Sequence, residues 1–159
     1  MNRTRTILLV EDNPDDVDLT LRAFERSKIA HEIVVARDGA EALDYLYRRG
    51  AHEHRTESQP VVVLLDLKMP KVNGLDVLKI MRADEALRMV PVVMLTSSRE
   101  ERDLVASYQL GVNAYVVKPV SFNEFVAAIQ SLGVFWALVN EPPPDASSNG
   151  TVPLKARAG

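Results

Sequence analysis

Short apolar runs alternate with amphipathic stretches along this chain. The runs at 7–10, 33–36, 61–65, 90–95 and 114–117 predict strands. Those beginning at 7, 61 and 90 are continuous rather than alternating, the pattern of parallel strands buried on both faces. The stretches between them predict helices. The first opens with Asn13 as N-cap and Pro14 at the first helical position, followed by Asp15 and Asp16 in the positive first turn. Its apolar stripe is Val17, Leu21 and Phe24. Further helices are predicted over 38–49, 74–83, 100–110 and 121–139. The order (βα)₅, with right-handed crossovers, predicts an α/β fold: a doubly wound five-stranded parallel sheet with helices on both faces.

Two segments break the rhythm. Residues 50–60 form a polar loop, long for a connection into a strand. The segment 141–159 carries Pro142-Pro143-Pro144 and Ser147-Ser148-Asn149-Gly150, and is expected to be a disordered tail to a domain over 1–140. Nothing after residue 139 is large enough to be an output domain. The last predicted helix has a core-facing stripe of Phe122, Phe125, Ile129 and Leu132. Its continuation, with Val134, Phe135, Trp136, Leu138 and Val139, is apolar nearly all round. That predicts a homodimer contact, with packing inside the domain as the alternative.

Composition narrows the classes. Apolar residues make up 47% of the 159, enough for one ordinary core. A net charge of −3 argues against a nucleic-acid binder that relies on a basic field. The absence of cysteine removes disulfides and thiolate chemistry. The first apolar run is too short for a signal peptide, and no stretch approaches the roughly eighteen apolar residues of a membrane span. A cytoplasmic protein is expected.

Open α/β sheets collect functional groups at the C-terminal ends of their strands. Here the first strand ends in Glu11-Asp12, the third in Asp66, and the fourth in Thr96-Ser97; the fifth leads to Lys118-Pro119. Three carboxylates, a hydroxyl and an ammonium are predicted at one sheet edge. Carboxylates so placed repel one another, and a divalent cation with oxygen ligands, Mg²⁺ or Mn²⁺, relieves that repulsion. A cation, a hydroxyl and a lysine around a free carboxylate suit phosphoryl transfer onto that carboxylate. Singly, each residue has a plainer reading: Glu11 and Asp12 as solvated acids, Asp66 as a turn residue, Thr96 as a cap, Lys118 as a surface lysine. All of these must hold together at matching spacing to displace the functional reading. His52 and His54 lack a third ligand in sequence and read as a solvated loop.

The motifs Glu11-Asp12, Asp66-Leu67-Lys68-Met69-Pro70-Lys71-Val72-Asn73-Gly74, Thr96-Ser97-Ser98 and Lys118-Pro119, in this order, resemble those of the bacterial two-component response-regulator receiver family, which has the flavodoxin-like architecture. The opening Val10-Glu11-Asp12-Asn13-Pro14-Asp15-Asp16 and the enlarged 50–60 loop resemble stand-alone receivers that serve phytochrome-like histidine kinases. The resemblance implies that Asp66 is the phosphoacceptor. It implies that Mg²⁺ is held by Glu11, Asp12, Asp66 and the Lys68 backbone carbonyl. Thr96 then hydrogen-bonds the phosphoryl group, Lys118 pairs with it, and Tyr115 is the aromatic switch. Ser97 is the small residue beside the phosphoryl approach. Pro119 is expected to follow a cis peptide, and Gly74 to permit a tight loop after the acceptor.

The implied function is a phosphorelay protein of a two-component system, catalysing only its own phosphorylation and dephosphorylation. A sensor histidine kinase supplies the phosphoryl group. The signal leaves through the face of the fourth helix, fifth strand and fifth helix to an unidentified downstream protein. The alternative is a phosphorylation-independent binding module on the same fold. A dehalogenase-like phosphatase is disfavoured because Lys68 stands where it needs a general acid. A flavin carrier is disfavoured because the acidic loop at 11–16 repels a phosphate.

Overall fold

The computed structural model describes residues 5–25, 31–69, 72–107, 109–112 and 114–132. The 134–139 segment assigned to a dimer contact and the tail at 141–159 lie outside these residues. Five strands and five helices alternate: β1 (Arg5–Val10), α1 (Pro14–Glu25), β2 (His31–Ala36), α2 (Gly39–Tyr47), β3 (Val62–Asp66), α3 (Gly74–Ala83), β4 (Val92–Thr96), α4 (Arg99–Ser107), β5 (Tyr115–Val117) and α5 (Phe122–Ser131). All pairings are parallel, in the order β2-β1-β3-β4-β5. The expected doubly wound sheet is the one observed.

Helix starts follow from side-chain caps. Asn13 Oδ1 accepts from the Asp15 and Asp16 N–H groups, and Asp38, Asn73 and Ser121 cap α2, α3 and α5 in the same manner. The ends differ from expectation. α2 stops at Tyr47 because Arg48 adopts the left-handed conformation, with φ 54°. α4 stops at Ser107, short of the predicted 110, with Gln109 left-handed at φ 53°. β4 starts at Val92 rather than 90, just after Pro91, which has no N–H to give a ladder.

Strand alternation sorts the core into two layers. Leu8, Val10, Val63, Leu65, Val92 and Met94 pack with α2, α3 and Val105 of α4. Ile7, Leu9, Val62, Leu64, Val93 and Leu95 pack with Val17 and Phe24 of α1 and with Phe125 and Ile129 of α5. Both faces of the central strands are buried, which is why their sequences read as unbroken apolar runs. The same period of two decides which side each strand-end group takes. Asp66 continues the Val62–Leu64 row on the α1/α5 side, whereas Thr96 continues the Val92–Met94 row on the α3/α4 side.

The 50–60 loop is built rather than merely solvated. Arg55 donates from Nε to the Tyr45 carbonyl (2.9 Å), from Nη1 to the carbonyls of Glu57 (3.0 Å) and Ser58 (3.1 Å), and from Nη2 to Gln59 Oε1 (2.7 Å). Its guanidinium also lies 4.1 Å from the Tyr45 ring centroid. Gln59 Nε2 donates to the Leu46 carbonyl. Carbonyls at the end of α2 thereby gain side-chain donors. His52 packs edge-on against Tyr45, and His54 is exposed beside Glu53. Among the described residues no helix is long and apolar enough to cross a membrane.

Candidate functional site

The strand order places the chemistry. β1 and β3 are neighbours with Val10 opposite Leu65, so Glu11 and Asp66 leave the sheet side by side. The chain from β1 departs to β2 on one side while β3 continues the sheet on the other, the topological switch point where open α/β sheets bind ligands. Glu11, Asp12 and Asp66 each offer an oxygen within 4.8 Å of the others. Glu11 is 1% exposed and Asp66 3% exposed, while Asp12 faces solvent.

Lys118 closes the site from β5. Its Nζ lies 2.9 Å from Glu11 Oε1, 3.1 Å from Asp66 Oδ2 and 3.2 Å from Asp16 Oδ2. The Lys118–Pro119 peptide is cis, as the sequence resemblance implied. Glu11 is held at both oxygens, since Oε2 accepts from the Asn13 N–H at 3.2 Å. Burial pushes the Glu11 carboxyl up to about 7, helped by its hydrogen bond to Asp66 and opposed by Lys118. Burial disfavours the charged form of Lys118, yet the Glu11 and Asp66 carboxylates outweigh it and hold the ammonium charged beyond its ordinary range. Crowded carboxylates, one of them driven toward its protonated form, are the setting that a hard divalent cation relieves. The all-oxygen donor set suits Mg²⁺ or Mn²⁺.

The other predicted residues surround this centre. Thr96 is fully buried at the end of β4, and its Oγ1 has no hydrogen-bond partner. Tyr115, across from Met94, is half-buried; its hydroxyl donates to the Val112 carbonyl (2.9 Å), and the Arg102 guanidinium lies 5.3 Å from its ring centroid. Lys68 follows β3 with an exposed side chain whose Nζ meets Glu101 Oε2 at 3.1 Å. Glu101 Oε1 accepts from the Ser97 N–H at 2.9 Å. This carboxylate therefore ties the loop after Asp66 to the start of α4. Burial alone would raise the Glu101 carboxyl, but the Ser97 N–H and Lys68 hold it below its ordinary value. Asp12, Lys68, Met69, Glu100, Glu101 and Leu104 line an open groove of about 710 Å³ beside the end of β3.

Gly74 earns its place through contact. A Cβ there would lie 2.1 Å from the Asp66 carbonyl oxygen. Sequence reasoning missed two participants. The sequence gives Asp16 a place in the acidic first turn of α1 but no tie to Lys118, and no local pattern marks Glu101. For Asp16 a signal was present, because 16, 20 and 24 form one row on α1 and both Thr20 and Phe24 are buried.

An acidic cluster, a buried strand-end aspartate, an apposed lysine and an unpartnered buried threonine on a parallel 2-1-3-4-5 sheet define a receiver-type signalling domain. The chain belongs to that family: the response regulator receiver domain model matches residues 7–130. Its fold is similar to the solved structure of the bacteriophytochrome response regulator AtBRR, with 64% identity and a TM-score of 0.83 over 88% of this chain and all of that one. The response regulator Rcp1 of Synechocystis is 37% identical over 135 residues, 85% of this chain and 90% of that protein. Its solved Mn²⁺-bound form superposes at a TM-score of 0.67, covering 89% of this chain and 99% of that one at 36% identity. The probable methanogenesis regulatory protein FilR2 of Methanothrix harundinacea is 43% identical over 137 residues, 86% of each chain.

Proposed function

We propose that this chain accepts a phosphoryl group on Asp66 from the phosphohistidine of a partner histidine kinase, in a Mg²⁺-dependent reaction, and passes the signal on by protein–protein contact. The observation that carries the reading is the placement of Asp66. It is buried at the end of β3, beside Glu11 and Asp12, with Lys118 Nζ 3.1 Å from its Oδ2.

In the transfer, an Oδ oxygen of Asp66 attacks phosphorus. The new O–P bond forms as the P–N bond breaks, and that electron pair returns to the imidazole nitrogen. Lys118 meets the charge on a phosphoryl oxygen from the β5 side. Glu11, Asp12, Asp66 and the Lys68 main-chain carbonyl would hold Mg²⁺, or Mn²⁺ in its place. The ion supplies charge neutralisation to the transferring group when bound.

The unpartnered Thr96 hydroxyl then finds its acceptor in the phosphoryl oxygens. Tyr115, on the same side of the sheet, follows and remodels the face of α4, β5 and α5. The likeness to the bacteriophytochrome response regulators AtBRR and RtBRR favours a phytochrome-like kinase as the donor. A cytoplasmic receiver over 1–140, paired through residues 134–139, completes the proposal. Sedimentation of a Phe135→Glu/Trp136→Glu variant tests the pairing: a folded variant that is monomeric where wild type is dimeric supports it, and a monomeric wild type refutes it.

The central test uses a small-molecule phosphodonor with Mg²⁺. Wild type should gain one acid-labile phosphoryl group, and Asp66→Asn none. Equal labelling of the two proteins overturns the assignment.

A further inference from the structure

Lys118 has three carboxylate partners, and they differ in kind. Glu11 and Asp66 belong, with Asp12, to the cluster that fits a divalent cation; Asp16 does not. A cation entering that cluster competes with the ammonium for Glu11 and Asp66, because two positive charges cannot share the same oxygens without repulsion. Asp16 is the partner that stays available.

Its side chain is free for that task. The α1 N-terminus is already capped by Asn13, whose Oδ1 accepts from the Asp15 and Asp16 N–H groups. The positive end of α1 favours a carboxylate at this position. Asp16 also stands at the head of the row containing buried Thr20 and Phe24, so it faces the sheet, whereas Asp15 points to solvent. The two acids are adjacent in one helical turn and carry the same charge, yet the ion pairs of Lys118 reach only Asp16.

We infer that Asp16 is a positioning residue: it receives the Lys118 ammonium when the divalent cation loads, which frees Glu11 and Asp66 for the metal and keeps Lys118 beside the acceptor. The inference rests on the proposed phosphoryl-transfer reading. It predicts that losing Asp16 makes metal binding harder, because Lys118 then has nowhere to go except the carboxylates the metal needs.

The experiment is calorimetric titration of the purified chain with Mg²⁺ alone. Asp16→Asn should weaken Mg²⁺ binding by about five- to tenfold, the scale of one partly buried charge contact. Asp15→Asn makes the same change of net charge in the same turn and should weaken it less than about twofold. Asp16→Glu, which can still reach Lys118, should restore binding to near the wild-type value. In a Lys118→Ala background, Asp16→Asn should shrink to the size of the Asp15→Asn effect.

Equal losses for Asp15→Asn and Asp16→Asn overturn the inference. So does an Asp16→Asn effect that persists undiminished without Lys118, since Asp16 would then act on the metal directly. In either case tight wild-type binding leaves the phosphoryl-transfer reading standing. A wild type that binds no Mg²⁺ overturns both. Thermal melts of each variant confirm that the comparison is among folded proteins.

Discussion

The α carbon of Gly74 is so close to the main chain of Asp66 that a methyl group placed on it would lie 2.1 Å from the Asp66 carbonyl oxygen and 2.9 Å from the Leu67 α carbon. Gly74 also donates its N–H to the Leu67 carbonyl and opens α3. The first residue of a helix is thus packed directly against the main chain of Asp66. Neither obstructing atom belongs to a side chain that could rotate away.

Replacing a helical glycine by alanine ordinarily stabilises by about 0.5–1 kcal/mol. Here the overlap should reverse the sign. Gly74→Ala is expected to lose on the order of 1–3 kcal/mol, the usual range for overpacking, and to slow phosphorylation of Asp66 by shifting its backbone. Chemical denaturation gives the first quantity. A variant as stable as wild type, or more so, would show that the close approach yields at little cost.

Arg55 organises a region remote from the site. Its four hydrogen bonds and its stacking on Tyr45 hold the 50–60 loop against the end of α2, near the N-terminal ends of the strands, where the Val61 N–H meets the Thr6 carbonyl. Arg55→Ala should cost about 2–3 kcal/mol, since several carbonyls lose a charged donor at once. Arg55→Lys should recover only part of it, because an ammonium cannot reproduce the planar fork. Amide exchange across 50–60 should quicken while Asp66 still phosphorylates. Unchanged exchange in Arg55→Ala would contradict the role.

The same loop marks where the sequence stopped being legible. Five continuous or near-continuous apolar runs gave the sheet, and four ordered motifs gave Glu11, Asp12, Asp66, Thr96 and Lys118, because strand period and strand ends are local signals. The order of the 50–60 loop depends on one guanidinium meeting groups up to ten residues back in the chain, and a polar composition carries no mark of that. Asp16 differs in that its place on the row of 16, 20 and 24 hints at an inward side chain, but its partner lies 102 residues away, and the helix dipole offers a plainer local role. The predicted end of α4 at 110 overshoots because no glycine or proline in 104–109 announces the left-handed turn at Gln109.

Glu11 predicts an unusual pH dependence. Its folded-state carboxyl stands at about 7 against an ordinary 4.5. A raised pKa means the folded state keeps a proton that the unfolded chain has released. That contribution to stability is full below about 4.5 and disappears as pH rises through 7. In chelator, stability should therefore fall between pH 5 and 8, by on the order of 2–3 kcal/mol from this group. Glu11→Gln, which cannot ionise, should flatten that slope. Added Mg²⁺ should restore wild-type stability at pH 8, because the ion binds the ionised cluster of the folded state. Denaturant midpoints that vary with pH identically in wild type and Glu11→Gln would contradict the argument.

Thr96 sets stability and signalling against each other. Its Oγ1 is buried without a hydrogen-bond partner, at a position with no exposed surface. A buried hydroxyl that makes no hydrogen bond costs roughly 1–3 kcal/mol relative to its solvated state. Valine has nearly the shape of threonine and lacks that hydroxyl. Thr96→Val should therefore stabilise the unphosphorylated protein, by about 0.5–2 kcal/mol, the reverse of what replacing a satisfied core threonine does. The same change removes the donor that the phosphoryl group needs, so Asp66 should still be phosphorylated while the environment of Tyr115 stays as it was before transfer. Two measurements separate the parts of the claim: a denaturation curve without phosphodonor, and Tyr115 ring resonances with and without it. A destabilised Thr96→Val would mean that the hydroxyl has a partner in solution. A Tyr115 response equal to wild type would mean that the signal reaches the α4–β5–α5 face by a route that bypasses Thr96.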